Sequence, residues 1–398
     1  MHADPDTHAT PLISSDSHIV EPPDLWERWL PKELLGLAPK LVKDEEGGDA
    51  WLYNDGAAPA PLGLVTVTRG RAREDLRWSG ARYDTINQGN FEATARVDEM
   101  LEDGVVAEVI YSPQRTMRHF MQGTENDLHL GGVRAYNDWL AKEFCAKAPD
   151  RLIGIAQMPA TGVVDAIAEM RRCKDMGLRG VLVSAWPSGN PNVSEADDPF
   201  FAEAQKLGLP VSLHIGLVSR AKVAPKPRTP VDADKAKAAA GTGTGGRQVS
   251  TLSGAGLDTM PLLLGEIILT GVHDRFPALK FVSVEAGIGW VPYYAEQMDD
   301  RYERNRHWAK IKLGKRLPSE YVRSNWMFTF VLDRYGVQNR HAIGIDNVMW
   351  STDYPHHGCD WPHSRATVAK MFEGVPADER RKITFGNAAA LYGIRPAA

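Results

Sequence analysis

The chain has only three cysteines in 398 residues, Cys145, Cys173 and Cys359. An odd number at such spacing builds neither a disulfide framework nor a thiolate zinc site, and a reducing, cytoplasmic setting is expected. Positive charge is not in excess: 46 Lys and Arg face 51 Asp and Glu, a net charge of -5. No global field draws in nucleic acid or an anionic membrane, so neither is expected as a partner. Long apolar runs are also missing. The most apolar stretch, Pro261 to Leu269, is broken by Glu266 and is too short to cross a bilayer. Met1 to Thr10 has neither the basic region nor the apolar region of a signal peptide.

What is present is an average globular composition, 43% hydrophobic and 24% charged, which excludes disordered and fibrous classes. Short β-branched runs alternate with amphipathic segments of helical length, the pattern of a parallel sheet. The strand-like runs are Leu12–Ser17, Val105–Ser112, Leu152–Pro159, Gly180–Ala185, Leu209–Ile215, Leu279–Ala286, Met327–Val331 and Asn347–Thr352. Helical periodicity marks Asn126–Lys147, Val163–Met176, Pro199–Leu207, Thr259–Arg275 and Trp290–Arg306. Eight alternations predict an α/β fold, a (β/α)8 TIM barrel, as a single domain over residues 1–398.

Two segments interrupt the pattern. Residues 40–83 hold strand-like pieces, Ala50–Tyr53 and Gly63–Thr68, around a turn-rich stretch, which predicts a small β-hairpin insertion after strand one. Residues 219–256 are rich in Lys, Ala, Pro and Gly, and form a basic loop after strand five. Such a loop reads as a solvated linker, a lid or a subunit-contact arm. Its Gly-Thr repeat lacks the ending of a phosphate loop.

Catalytic groups of a barrel project from the carboxyl ends of its strands. Strand one ends in Asp16-Ser17-His18, strand five in His214, strand six in Glu285, and strand eight leads into Asp353. Singly, each has a structural explanation: a turn cap, a hydrogen-bonded core imidazole, a paired carboxylate. Together, Asp16, His18, His214 and Asp353 supply the imidazole and carboxylate set of a divalent metal site with a position left for water or substrate. Uncompensated burial of all four would cost several kcal/mol (roughly 2–7 per group).

These residues carry a family resemblance. Ile13-Ser-Ser-Asp-Ser-His18, Glu21-Pro-Pro-Asp-Leu-Trp26, the His214 strand, Asp274-Arg-Phe-Pro-Ala-Leu-Lys280, Ser351-Thr-Asp-Tyr-Pro-His356 and Gly386-Asn-Ala-Ala-Ala-Leu-Tyr392 resemble the amidohydrolase superfamily. The match is closest to its amidohydrolase 2 branch, which holds the aminocarboxymuconate semialdehyde and γ-resorcylate decarboxylases. The resemblance implies one divalent cation, zinc first and manganese second, on Asp16, His18, His214 and Asp353. One departure stands out: Glu285-Ala-Gly-Ile-Gly-Trp290 occupies a turn where many relatives carry His.

The expected reaction is non-oxidative decarboxylation of a small aromatic or unsaturated carboxylic acid. Asp353, Glu285 and His356 are the expected acid/base groups, and Arg115, Trp290 and His357 the expected substrate contacts. Metal-assisted hydrolysis of an amide, lactone or carbon–carbon bond is the alternative. The resemblance further implies a homodimer or homotetramer.

Overall fold

In the computed structural model, residues 10–54, 57–122, 125–216 and 259–395 are described. The 219–256 loop lies outside them. The barrel strands are β1 (Leu12–His18), β5 (Val105–Tyr111), β6 (Leu152–Gly154), β7 (Ala156–Gln157), β8 (Val181–Leu182), β9 (Val211–His214), β10 (Phe281–Val284), β11 (Trp326–Phe330) and β12 (Val348–Trp350). All pair in parallel, in the orders β1-β5-β6 and β7-β8-β9-β10-β11-β12. Only Ile155 separates β6 from β7, and its N–H donates to Ile110 O while Ala156 N donates to Gly180 O. One strand therefore serves both sheets, which makes eight.

Just beyond β12 the chain returns to β1. Asp353 N donates to Asp16 O (3.0 Å) and His18 N to Tyr354 O (2.6 Å). Hydroxyls reinforce the closure: Ser15 Oγ donates to Trp350 O (2.7 Å), and Thr352 N donates to Ser14 Oγ (2.9 Å). The expected α/β barrel is thus present, and its last strand is joined to its first through the residues that carry the chemistry. Every residue of β1, β9, β10, β11 and β12 is buried, as befits strands covered by helices outside and side chains within.

The C-terminal motif is part of the frame. Asn387 Nδ2 donates to Ile345 O and Val348 O, and Tyr392 OH lies 3.2 Å from Tyr111 OH. The Asp274 motif is also structural: its carboxylate accepts from Gly314 N and from the Tyr321 hydroxyl, while Arg275 grips Asp198.

The insertion is an antiparallel three-stranded sheet, β2 (Lys40–Lys43), β3 (Asp49–Leu52) and β4 (Ala60–Pro61). The Gly63–Thr68 piece is not a strand. Gly63–Val65 is a single 3-10 turn, closed by the Thr66 hydroxyl on Leu62 O (3.2 Å). A Cβ at Gly63 would come within 2.3 Å of the carbonyl oxygens of Arg77 and Trp78, so glycine lets the chain double back there.

Candidate metal centre and cavity

The barrel gathers its titratable groups at the carboxyl ends of the strands. A register shift between Ser14 and Ser17 puts one extra residue of β1 against β5, and such a bulge re-aims the side chains that follow. Asp16 and His18 then both face His214 from β9. His18 Nε2 and His214 Nε2 stand 3.0 Å apart, and Asp16 Oδ1 lies 3.5 Å from each. His18 Nδ1 approaches Ser112 O (3.3 Å) and His214 Nδ1 approaches Ile215 O (2.6 Å). A carbonyl can only accept, so each Nδ1 carries the proton and each Nε2 presents a lone pair. Two lone pairs and a carboxylate converging in a dry interior require a positive charge between them.

Glu285 Oε2 joins at 3.5 Å from His214 Nε2, and Asp353 Oδ1 lies 3.6 Å from His18 Nε2. Asp16, His18, His214 and Glu285 present ligand atoms within 4.8 Å of one another, as do His18, Asp353 and His356. Sequence reasoning put Asp353 with Asp16, His18 and His214. The structure brings Glu285 into that set, and places Asp353 in an overlapping group with His356. Both oxygens of Asp16 are buried without a hydrogen-bond partner among the described residues. Orphaned carboxylate oxygens facing two imidazole lone pairs fit a divalent transition metal.

The backbone is bent to make this cluster. Among the described non-glycine residues only Glu285 (φ 61), Lys310 (φ 56) and Asp353 (φ 57) have positive φ, and two of the three carry site carboxylates. Each such residue costs about 1–3 kcal/mol, a strain that collects where function holds it.

Without a cation, the cluster holds its own protons. Burial opposes charge on His214, yet Asp16 and then Glu285 outweigh it and push its pKa up to about 9. Burial, then His356 and His214, drives His18 well down. One positive charge is thus held by the pair. Burial, then the neighbouring carboxylates, lifts Glu285 and Asp353 well above the ordinary range.

Behind the site, Arg96 is wholly buried on the helix Ala93–Glu102. It donates to His18 O (2.5 Å), Gly89 O (2.6 Å) and Glu108 Oε2 (2.8 Å), and its guanidinium stacks 4.2 Å over Tyr354. One cation therefore braces both the His18 and the Asp353 segments. Sequence reasoning missed it, because an Arg in an amphipathic helix reads as solvated.

A cavity of about 290 Å³ opens onto Glu285, Asp353, His356 and His357. Trp51, Tyr53 and Trp78 wall it from the insertion, and Glu21 and Arg115 from the ends of β1 and β5. Arg115 lies 4.8 Å from the Trp78 ring and donates to Pro61 O. His356 stacks on His18 (4.2 Å) with its Nδ1 2.9 Å from Asp353 Oδ1. Trp290 does not line this cavity: its indole N–H donates to Ala286 O (2.9 Å) in the turn before its own helix. Larger hollows, of about 410 and 480 Å³, lie at the opposite end of the barrel beside Pro210 and Lys280 and along the helix Val291–Ala309. Neither includes any of the metal-ligating groups above.

A family profile described as Amidohydrolase matches residues 88–394. The chain belongs to the amidohydrolase family. Among its relatives, the γ-resorcylate decarboxylase of Polaromonas sp. is 28% identical over 275 residues, 66% of this chain and 76% of the relative. The 2-amino-3-carboxymuconate-6-semialdehyde decarboxylase of Dictyostelium discoideum is 23% identical over 326 residues, covering 80% and 81%. An amidohydrolase structure from Mycobacterium avium subsp. paratuberculosis superposes with a TM-score of 0.72 at 19% identity, covering 96% and 99%. A dihydroxybenzoic acid decarboxylase from Polaromonas sp., with bound manganese and 2-nitroresorcinol, gives a TM-score of 0.60 at 20% identity, covering 98% of each chain. At these identities the solved structures establish the amidohydrolase fold for this chain.

Proposed function

We propose that this protein is a metal-dependent, non-oxidative decarboxylase of a small, one-ring aromatic or unsaturated carboxylic acid. The observation that carries the reading is the convergence of Asp16, His18 and His214 with Glu285, and of His18 with Asp353 and His356, where Glu285, Asp353 and His356 also line a cavity. Decarboxylases among both the sequence relatives and the structural neighbours support it. The cavity is at the low end of small-molecule sites, which span roughly 300–1,000 Å³, and so fits a single ring.

Asp16, His18 and His214 would hold the cation, with Glu285 or Asp353 completing the set. Two imidazoles with carboxylates suit manganese or zinc, and the manganese of a relative makes manganese the first to load. When bound, the metal supplies Lewis acidity and a template for the carboxylate end of the substrate. The chain's residues do the rest. Trp51, Tyr53 and Trp78 exclude water from the ring face, and Arg115 contributes positive charge toward an anionic substrate. The bond to the carboxylate breaks, its electron pair stays on the ring carbon, and a proton must reach that carbon as carbon dioxide departs. Asp353 at the cavity edge delivers that proton, and His356 beside it replenishes it. We place the whole barrel, residues 1–398, in one domain, acting as a homodimer or homotetramer in the cytoplasm.

Manganese-loaded protein supplied with hydroxybenzoates and muconate-like acids should release one carbon dioxide per ring proton gained from solvent, read as deuterium incorporation in D2O. Turnover that consumes water and releases no carbon dioxide would replace this reading with hydrolysis, the chemistry that Glu285 among the donors would serve.

A further inference from the structure

The Glu21-Pro-Pro-Asp-Leu-Trp26 motif follows directly on the metal-bearing strand, and the chemistry above leaves Glu21 without a task. Its side chain is only 4% exposed, yet it lines the same cavity as Glu285, Asp353 and His356. Its Oε1 has no hydrogen-bond partner among the described residues. A buried acceptor left so costs about 1–3 kcal/mol, and more when charged, so a fold keeps one where something else fills it.

The backbone that carries the carboxyl is held in place. Val20 N donates to Asn90 O (2.8 Å) and the Tyr83 hydroxyl to Glu21 O (2.6 Å), which pins the backbone before Pro22 and Pro23 fix its exit. Thr116, whose hydroxyl lies 2.9 Å from Tyr53 OH, then Glu21's own amide and Arg115 through space, favour the charged carboxyl. Burial lifts its pKa to about 6. Oε1 is thus a buried acceptor without a partner, on a residue that lines the cavity together with Trp51, Leu62 and Leu64.

We infer that Glu21 is a specificity residue whose free oxygen accepts a hydrogen bond from a ring hydroxyl of the substrate, so that the enzyme selects acids carrying a hydroxyl remote from the metal-bound end. This rests on the reading of the cavity as the site of a ring-acid decarboxylase. A site built to receive a hydroxyl discriminates strongly against the analogue that lacks it, because the protein's own polar group is then stranded.

The test is calorimetric titration of the manganese-loaded protein with 2-hydroxybenzoate and with 2,4-, 2,5- and 2,6-dihydroxybenzoate. At least one dihydroxy acid should bind about tenfold tighter or more than 2-hydroxybenzoate. Glu21→Leu should bring that advantage below about threefold while 2-hydroxybenzoate affinity stays within about twofold. Should the Leu variant fail to fold, the near-isosteric Glu21→Gln should cut the advantage at least about threefold. No advantage in the parent protein, or an advantage that survives these substitutions, overturns the inference. Carbon dioxide release, followed separately, divides the two claims. Preferential binding abolished by Glu21→Leu without any carbon dioxide would refute the decarboxylase and leave the Glu21 role standing. Decarboxylation with an unchanged preference would do the reverse.

Discussion

His214 and His273 are both almost completely buried, and they have opposite surroundings. His273 sits among Phe281, Tyr321 and Trp326; its Nε2 accepts from Trp326 Nε1 (3.0 Å), and burial, then Arg316 and Lys280, lowers its pKa to about 3. His214 and His18 face each other's lone pairs and Asp16 at the top of the barrel. Burial alone therefore does not mark a working histidine. The mark is a second acceptor opposite the imidazole nitrogen, where a core histidine has a donor.

The most damaging way to test that contrast is to remove an imidazole from each place. His214→Ala should lower metal affinity by about a hundredfold or more and abolish turnover, whereas His273→Gln, which keeps an acceptor for Trp326, should retain metal and activity. Metal content by elemental analysis and the initial rate read both outcomes.

Asp353→Asn tests the proton route at the same end of the barrel. It should lower kcat by about 10²–10⁴, with the cation still bound through Asp16, His18 and His214. An unchanged rate would remove Asp353 from the chemistry.

Arg96→Ala separates bracing from binding. It leaves Glu108 buried without its partner, which costs about 3–5 kcal/mol, and frees the carbonyl of His18. A lowered melting midpoint together with about 10–100-fold weaker metal binding is expected, and weaker binding without any loss of stability is not.

The smallest effect concerns pH. His273 must be neutral in the folded state, while in the unfolded chain it protonates below about 6.5. Its contribution to stability is complete above that value and is lost as the pH falls toward 3. The thermal midpoint of the parent should therefore drop more between pH 6.5 and 4 than that of His273→Gln; identical slopes would refute the assignment.

These contrasts also show what is legible in a sequence. Strand periodicity brought Asp16, His18, His214 and Asp353 to the right end of the barrel, since each sits at or just past a strand terminus. Arg96 and the unpartnered oxygen of Glu21 were not legible, because their burial is created by segments remote in the chain, Gly89 and Tyr354 for one, Thr116 and Tyr83 for the other. Trp290 was expected on the cavity wall. Its indole N–H instead donates to Ala286 O in the turn that precedes its own helix. The Gly63–Thr68 stretch has strand-like composition, yet the approach of Arg77 and Trp78 folds it into a turn.

X-ray absorption at the metal edge of the reconstituted protein tests the central claim most directly. One cation per chain, bound by two imidazole nitrogens and carboxylate oxygens, with one nitrogen lost in His214→Ala, is the predicted result. A spectrum of oxygen ligands alone, unchanged by that substitution, would contradict it.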